Sequence, residues 1–269
     1  MNAILNYPGA KWGIAKKIIS IMPSHRSYLE PYFGSGAVFF NKPHSAIETI
    51  NDIDGDVTNF FEVLRDNAEE LARLIALTPY SRDVFEDAYN NEGVTPFERA
   101  YKFAIRSRMS HGYKTFRKTG FKIDVFARER SYCVDSWNKM PDYLIAAGER
   151  LKHAQIENTS AVQLIKKFNK ENVLIYADPP YLPATRCDKQ YRHEMSEQDH
   201  MELLSVLCDH KGYVILSGYQ SEMYDKELKG WSKLSVKRYN QNADPRTEVL
   251  WCNFSSINTI LDGMEVTEC

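Results

Sequence analysis

The sequence has little of three things that would fix its class at once: paired cysteines, long apolar runs and net charge. Its five cysteines are scattered, without a Cys-x-x-Cys pair or a Cys/His cluster, at Cys133, Cys187, Cys208, Cys252 and Cys269. We therefore expect free thiols in a reducing cytosol, with neither a disulfide framework nor a zinc site. No apolar run approaches the roughly 18–20 residues that a membrane span needs, and the N-terminus lacks a signal-peptide core. We accordingly expect a cytoplasmic protein without a membrane partner.

The small net charge excludes a molecule that binds polyanions over its whole surface. The formal net charge is −2 over 269 residues, so any nucleic-acid site must come from local clustering. The composition is otherwise ordinary, with 43% apolar and 26% charged residues, which favours a packed globular protein over a disordered one. The length suits one large α/β domain, or one domain with an inserted subdomain.

A stiff stretch follows an apolar run in the second half of the chain. The run Val173–Ala177 predicts a buried strand, and it leads into Asp178-Pro179-Pro180-Tyr181. The prolines can continue neither a helix nor a strand ladder, so an acid, free carbonyl groups and a ring are held in a rigid turn. In open α/β sheets, ligands bind at the carboxyl ends of strands. Taken alone, however, the stretch is more simply a rigid turn with a capping Asp.

A glycine loop near the N-terminus is a second candidate. The segment Phe33-Gly34-Ser35-Gly36 follows an expected strand, and glycine lets a backbone approach a nucleotide closely. Asp52 follows the next expected strand, 16 residues after Gly36, where nucleotide-binding folds hold ribose hydroxyl groups. Each signal is weak by itself, because a tight turn and helix capping by nearby aspartates account for the same residues.

Apolar runs predict about seven strands that alternate with helices, interrupted by a long helical stretch. The strand signals lie around residues 28–30, 46–50, 154–157, 173–177, 213–217, 234–239 and 248–254. Between about 66 and 152 they disappear, and apolar residues recur at helical spacing. We therefore predict a catalytic core formed by residues 1–65 and 153–269, with a helical insertion at 66–152.

Basic residues concentrate within this predicted insertion. Residues 99–130 contain two acidic and ten basic residues, which give the segment a charge of +8. The basic residues are Arg99, Lys102, Arg106, Arg108, Lys114, Arg117, Lys118, Lys122, Arg128 and Arg130. Tyr113, Phe116 and Phe121 are interleaved with them, which suits contact with phosphates and bases. The alternative is a solvated basic loop.

Taken together and in this order, the motifs resemble those of the Dam-like DNA adenine-N6 methyltransferases of bacteria and phages. Asp178–Tyr181 resembles the catalytic motif of that family, Phe33–Gly36 its S-adenosylmethionine loop, and Tyr7–Lys11 its N-terminal cofactor motif. The resemblance implies a Rossmann-like class I methyltransferase fold with about seven mixed strands and an inserted helical target-recognition subdomain. It implies double-stranded DNA as the substrate, with or without a companion restriction endonuclease, and S-adenosylmethionine without a metal as the cofactor.

The resemblance also assigns roles to individual residues. The implied cofactor contacts are Tyr7, Lys11, Phe33, Gly34, Gly36, Asp52 and Asp178. The implied catalytic residues are Asp178, Pro179, Pro180 and Tyr181. The basic residues expected at the DNA are Arg106, Arg108, Lys114, Arg117, Lys118 and Lys122. One departure is Ser160, where related sequences often carry an acid next to the adenine ring of the cofactor.

These residues permit direct methyl transfer to a flipped adenine. The adenine amine is a poor nucleophile, because its lone pair is delocalised into the ring. It must be reached outside the base stack, so we expect the enzyme to flip the base. Asp178 would accept one N–H hydrogen bond and the Pro179 carbonyl group the other, which stabilises positive charge on the nitrogen. Tyr181 would stack on the base. The alternatives are methylation of another planar amine (cytosine, RNA adenine or protein glutamine) and a non-catalytic DNA-binding regulator on the same scaffold.

Overall fold

The structure is a computed structural model that describes residues 1–112, 116–126, 129–182, 189–239, 245–255 and 264–268. Its strands are β1 (Ser27–Glu30), β2 (Ile47–Asn51), β3 (Ala154–Glu157), β4 (Val173–Ala177), β5 (Tyr213–Gly218), β6 (Ser232–Tyr239), β7 (Pro245–Cys252) and β8 (Met264–Glu268). They form one sheet in the order β3-β2-β1-β4-β5-β7-β6-β8. The pairs among β1 to β5 are parallel, whereas β7 is antiparallel to β5 and β6, and β8 to β6.

This strand order confirms the predicted Rossmann-like class I methyltransferase fold. Seven strands lie where the apolar runs predict them, and the antiparallel β7 between β5 and β6 makes the sheet mixed. The eighth strand has no counterpart among the predicted strands. Its five residues, Met264–Glu268, form no apolar run, and they extend the sheet at the β6 edge.

Helices cover both faces of this sheet. The described helices are α1 (Ala15–Ser20), α2 (Gly55–Ala76), α3 (Arg82–Asn90), α4 (Pro96–Met109), α5 (Tyr132–Asn138), α6 (Met140–Leu151), α7 (Ala161–Lys167), α8 (Glu197–Cys208) and α9 (Glu222–Glu227). Of these, α3 and α5 pack against other helices. Leu174 and Tyr176 of β4 belong to one apolar cluster, whereas Val173 and Ile175 belong to another. Because side chains alternate across a strand, the two clusters lie on opposite faces. Within the described segments, no helix is both long and apolar enough to cross a membrane.

The central strands determine where a ligand can bind. All five residues of β4 are buried, as expected for a parallel strand covered on both faces. The strand order reverses between β1 and β4, because the chain adds β2 and β3 on one side and β5 on the other. At such a switch point the loops after the two strands diverge and leave a crevice at the carboxyl ends.

The chain between β2 and β3 is mainly helical where the structure describes it. Helix α2 packs against α4 and α6, and one isolated bridge joins Ser110 to Phe121. The predicted boundary at residue 65 falls inside α2, whose backbone leaves the helical range at Asn67. One helix thus begins beside the carboxyl end of β2 and continues into the predicted insertion.

Gly148 sets the distance between α6 and α2. A Cβ atom at this position would lie 2.5 Å from the Ala68 Cβ atom and 2.8 Å from the Leu64 carbonyl oxygen. We expect Gly148→Ala to lower the free energy of unfolding by about 1–3 kcal/mol, the usual cost of overpacking. Urea unfolding followed by circular dichroism measures this change.

Gly55→Ala is the matched control, because a Cβ atom at Gly55 meets no atom within 4 Å. We expect its free energy of unfolding to stay within ~0.5 kcal/mol of the parent value. Equal stability of the Gly148 and Gly55 variants would contradict the close approach of the two helices.

Candidate active site

A cavity of about 300 Å³ opens at the carboxyl edge of the sheet, in the crevice between β1 and β4. Its walls come from the N-terminal turn (Tyr7–Lys11), the glycine loop (Phe33–Gly36), the residues after β2, the start of α7 and the residues after β4. The predicted site residues that line it are Tyr7, Lys11, Phe33, Gly34, Asp52, Asp178 and Pro180. Gly36, Pro179 and Tyr181 are not part of the lining surface.

Two backbone conformations that favour glycine shape the glycine loop. Gly34 has a φ angle of 50° and Gly36 one of 65°, both in the left-handed region. A Cβ atom at Gly34 would lie 2.9 Å from the Tyr7 ring, and one at Gly36 would lie 2.5 Å from the Phe33 ring. The loop therefore packs against aromatic rings without room for a side chain, and its backbone at Gly34 faces the cavity.

Asp52 braces the glycine loop from the end of β2. Its Oδ2 atom accepts a hydrogen bond of 2.8 Å from the Gly34 amide, and its Oδ1 atom accepts one of 2.9 Å from the Asp54 amide. Burial raises the pKa of Asp52 to about 6, although these amide donors oppose the rise. The carboxylate has lone pairs left for ribose hydroxyl groups. Helix capping falls instead to Asp54, whose side chain accepts from the Asp56 amide.

Ser160 stands where related sequences often have an acid. It is the N-cap of α7, where its side chain accepts from the Gln163 amide, and it lines the cavity with Ala161 and Val162. This wall offers apolar surface and one hydroxyl group, which suits a planar adenine ring. Together with Asp52 and the glycine loop, it fits the cofactor S-adenosylmethionine that the resemblance implies.

An ion pair joins Asp178–Tyr181, the predicted catalytic turn, to the N-terminal turn. The Lys11 Nζ atom lies 2.7 Å from both carboxylate oxygens of Asp178. It also donates to the Gly9 carbonyl oxygen and to the Tyr181 hydroxyl group, each at 2.8 Å. Lys11 is only 2% exposed, so its charge is balanced inside the protein. The structure thus places this predicted cofactor residue against Asp178 as a counter-ion.

Sequence reasoning missed a buried acid behind this ion pair. Glu248 in β7 is 0% exposed and accepts hydrogen bonds from the Tyr181 hydroxyl group at 3.0 and 3.1 Å. The Ser217 hydroxyl group donates to it at 2.8 Å, and the Lys11 Nζ atom lies 3.5 Å away. The signal in the sequence was a lone acid beside a run of apolar strand residues.

The Tyr181 ring is buried in the protein interior behind the catalytic turn. It is 5% exposed, and its centroid lies 4.3 Å from that of the Tyr219 ring. Its hydroxyl group is held between Lys11 and Glu248. The stacking of Tyr181 on a flipped base stays a prediction, because the ring does not line the cavity in this structure.

Glu30, the last residue of β1, is a second buried acid that sequence reasoning left without a role. It lines the cavity, and the Tyr28 hydroxyl group donates to its Oε2 atom at 2.7 Å. Burial raises the pKa of Glu30 to about 8, and the Asp178 carboxylate adds to the rise. Glu30 is therefore mainly protonated at neutral pH, so it places little negative charge beside Asp178.

After the catalytic turn, the chain returns over the cavity. Residues 191 and 193–195 line it, and the intervening Arg192 forms ion pairs with Asp56 at 2.6 Å and with Asp54 at 3.5 Å. These contacts attach the returning segment to the start of α2. The cavity is thus bounded by a segment that the predicted site did not include.

The structure corrects two of the predicted DNA contacts. Arg106 is 6% exposed and donates to the Ala88 carbonyl oxygen. Arg108 is 9% exposed and donates to the carbonyl oxygens of Ala3 and Ser136. Guanidinium groups that are buried and donate to internal acceptors are not accessible to DNA phosphates. Both arginines instead attach α4 to the surrounding structure. A count of charges along the sequence cannot show that a helix turns some of its cations inward.

The other predicted DNA contacts differ in exposure. Arg117 and Lys118 are exposed, and Lys118 forms an ion pair with Glu86. Lys122 is partly exposed, next to the bridge at Phe121. Lys114 lies outside the described residues.

The described cysteines are not paired. Cys133, Cys208 and Cys252 are free thiols, whereas Cys187 and Cys269 lie outside the described residues. In the part of the chain that the structure describes, no group of three or more His, Cys, Asp or Glu residues is arranged to hold a metal ion.

The raised pKa of Glu30 generates a pH-dependent prediction. Its value of about 8 in the folded protein exceeds the ordinary value of 4.5, so the folded state keeps a proton that the unfolded state loses. This stabilisation is present below about pH 4 and is lost as the pH rises towards 8. Glu30→Gln removes this titration. The free energy of unfolding of the variant minus that of the parent should therefore rise by up to roughly 4 kcal/mol as the pH increases from about 5 to 9. Urea unfolding at several pH values tests this, and a constant difference would contradict it.

The chain is similar to known proteins along most of its length. A family model described as D12 class N6 adenine-specific DNA methyltransferase matches residues 7–242. The Type II methyltransferase M1.LlaDCHI of Lactococcus lactis subsp. cremoris is 25% identical, over 95% of this chain and 98% of that protein. The DNA adenine methylase of Salmonella typhi is 23% identical, over 89% of this chain and 88% of that protein. The DNA N-6-adenine-methyltransferase of Escherichia phage P1 is 25% identical over 77% of this chain, but the match spans only 28% of that protein. Because the family model matches most of the chain, from the N-terminal turn to beyond the catalytic turn, the chain belongs to the D12 class of N6 adenine-specific DNA methyltransferases.

Proposed function

We propose that this enzyme transfers a methyl group from S-adenosylmethionine to the N6 amine of an adenine that is flipped out of duplex DNA. The observation that carries the proposal is the position of Asp178, which lines the cofactor cavity with a 17% exposed side chain. A carboxylate at this place can receive an amine next to the bound methyl donor, and such proximity accounts for much of the rate of a transfer reaction.

The cavity residues would hold the cofactor from several sides. Asp52 would accept hydrogen bonds from the ribose hydroxyl groups, as acids after the second strand do in nucleotide-binding folds. Tyr7 and the Gly34 backbone would pack along the cofactor, and residues 160–162 would contact its adenine ring. When bound, S-adenosylmethionine supplies an electron-poor methyl group.

The catalytic turn would prepare the adenine amine. Its lone pair is delocalised into the ring, so the nitrogen needs two acceptors that hold its N–H groups and favour a pyramidal shape. The Asp178 carboxylate and the Pro179 carbonyl oxygen would be these two acceptors. The two prolines restrict the backbone and so keep the distance between the acceptors fixed. The Asp178 carboxylate would also stabilise the positive charge that develops on the nitrogen. The base reaches this turn only outside the stack.

The basic segment would hold the DNA backbone. Arg117 and Lys118 carry exposed positive charge, and contacts of this kind supply affinity and register rather than sequence readout. Residues 66–152 would form the target-recognition unit, with Lys114 and Lys122 as further contacts. Arg106 and Arg108 would support this unit from within.

The relatives suggest where the enzyme acts and with what partner. They come from bacteria and from a phage, so we place the activity in the cytoplasm of a bacterial or phage-infected cell. A restriction endonuclease is a candidate partner, because one relative is named a Type II methyltransferase. Others are named simply DNA adenine methylases, which is consistent with an enzyme that acts alone.

Expression in cells whose DNA lacks adenine methylation tests the proposal. Sequencing that detects N6-methyladenine should find methylation at one short sequence with the parent chain. Asp178→Ala should reduce methylation about a hundredfold or more, the usual effect of removing a group that stabilises transition-state charge. Asp209→Ala, at an exposed position after α8, is the control and should keep parental activity.

The same preparations separate the alternative substrates. Purified parent enzyme is offered labelled S-adenosylmethionine with duplex DNA, RNA or protein. Transfer to RNA or protein in preference to DNA would contradict the proposal, and so would a folded Asp178→Ala variant with near-normal turnover.

The exposed basic residues generate a second prediction. Arg117→Ala combined with Lys118→Ala should weaken binding to the methylated sequence and reduce the slope of log Kd against log salt by roughly 1–2, about 0.9 per lost phosphate contact. Fluorescence anisotropy at several salt concentrations measures this slope. Lys166→Ala combined with Lys167→Ala, at exposed positions of α7, is the matched control. An unchanged slope in the first variant would remove the basic segment from the DNA interface.

A further inference from the structure

We propose that Glu248 is a positioning residue, which takes up the charge of Lys11 when Asp178 turns to the amine of the flipped adenine. The inference rests on the proposed function and gives a role to the buried acid behind the catalytic turn. Glu248 lies in β7, whereas Asp178 follows β4, so two strands bring carboxylates to the same ammonium group.

Asp178 faces two competing demands. In this structure the Lys11 Nζ atom lies 2.7 Å from both of its oxygens, so the ammonium group spans the carboxylate. The adenine amine requires one of the same oxygens as its acceptor. A tightly held cation also weakens the ability of the carboxylate to stabilise positive charge on the amine nitrogen. Lys11 must therefore loosen its hold without leaving its own charge unpaired in the interior, where an unpaired charge is costly.

Glu248 meets this requirement because it already lies within reach of Lys11. Its Oε1 atom is 3.5 Å from the Nζ atom, and the Tyr181 hydroxyl group bridges the two side chains. An ammonium group only donates and an ionised carboxylate only accepts, so Tyr181 must accept from Lys11 and donate to Glu248. A small movement of the Nζ atom towards Glu248 thus strengthens one ion pair while it weakens the other.

The charges of the cluster lead to the same conclusion. One ammonium group faces two carboxylates, so Lys11 has a second acid within reach when its contact with Asp178 loosens. Glu248 is 0% exposed and is fixed by the Ser217 hydroxyl group, so it stays directed at the cluster. Glutamine at this position keeps an acceptor for Tyr181 and Ser217 but lacks the charge. Glu248→Gln therefore distinguishes a role of the charge from a role in packing.

The test compares two duplexes of the methylated sequence, one with adenine at the target position and one with purine, which lacks the amine. Both duplexes carry an abasic site opposite the target, so neither base loses a pairing hydrogen bond when it flips. Affinities are measured with S-adenosylhomocysteine, which cannot transfer a methyl group. The parent enzyme should bind the adenine duplex about tenfold more tightly, the usual effect of a hydrogen bond to a charged group. In Glu248→Gln this ratio should fall to about one, because Lys11 stays on Asp178. The single-turnover rate of methyl transfer should fall in parallel.

Two further variants exclude a purely structural effect. Asp225→Asn makes the same change of acid to amide at a carboxylate that lies 2.7 Å from the Lys233 Nζ atom and does not line the cavity. It should keep the parental ratio. Lys11→Met combined with Glu248→Gln removes the competing cation and should restore a clear preference for adenine. Circular dichroism and S-adenosylhomocysteine binding establish that each variant is folded.

The outcomes separate this inference from the proposed function. A folded Glu248→Gln variant with the parental ratio overturns the role of Glu248, and so does a double variant that shows no preference. If Glu248→Gln alone does not fold, the double variant decides the question. A parent enzyme that neither methylates DNA nor distinguishes the two duplexes overturns the proposed function itself.

Discussion

The ion pair between Lys11 and Asp178 is the contact on which the rest of the site depends. A charge as deeply buried as that of Lys11 is tolerated only when additional hydrogen bonds satisfy it, and Gly9 and Tyr181 accept such bonds from the ammonium group. The contact fixes the N-terminal turn over the end of β4. That placement brings Tyr7 against the glycine loop, where no side chain fits at Gly34. The Lys11 ammonium group therefore holds together the methyl-donor cavity and the catalytic turn.

Most of the fold could be predicted because parallel strands covered on both faces appear in a sequence as apolar runs. β4 is the clearest case, since all five of its residues are buried. The glycine loop and Asp52 could be found because a left-handed backbone favours glycine and a ligand-binding edge needs polar groups. β8 could not be found this way. An edge strand that pairs on one side needs no apolar run, and its partner β6 lies more than twenty residues earlier in the chain.

The direction of charged side chains was beyond the reach of the sequence. Arg106 and Arg117 belong to the same basic segment, yet only the second is exposed. A tertiary contact causes this difference in exposure: Arg106 in α4 donates to the carbonyl oxygen of Ala88 in α3. Glu248 and Glu30 were missed for a related reason. An acid in a strand is ordinarily assigned to solvent, and the partners that bury Glu248 come from remote parts of the chain.

The eighth strand has a practical consequence for the handling of the protein. β6 is paired with β7 on one side and with β8 on the other, so both of its edges are covered along much of its length. Removal of residues 264–268 would replace the five-residue edge strand β8 with the eight-residue edge of β6. A longer row of backbone amide and carbonyl groups at an edge is a better template for strand pairing between molecules. Truncations that remove these residues therefore invite self-association. Enzyme prepared for quantitative work should keep these residues.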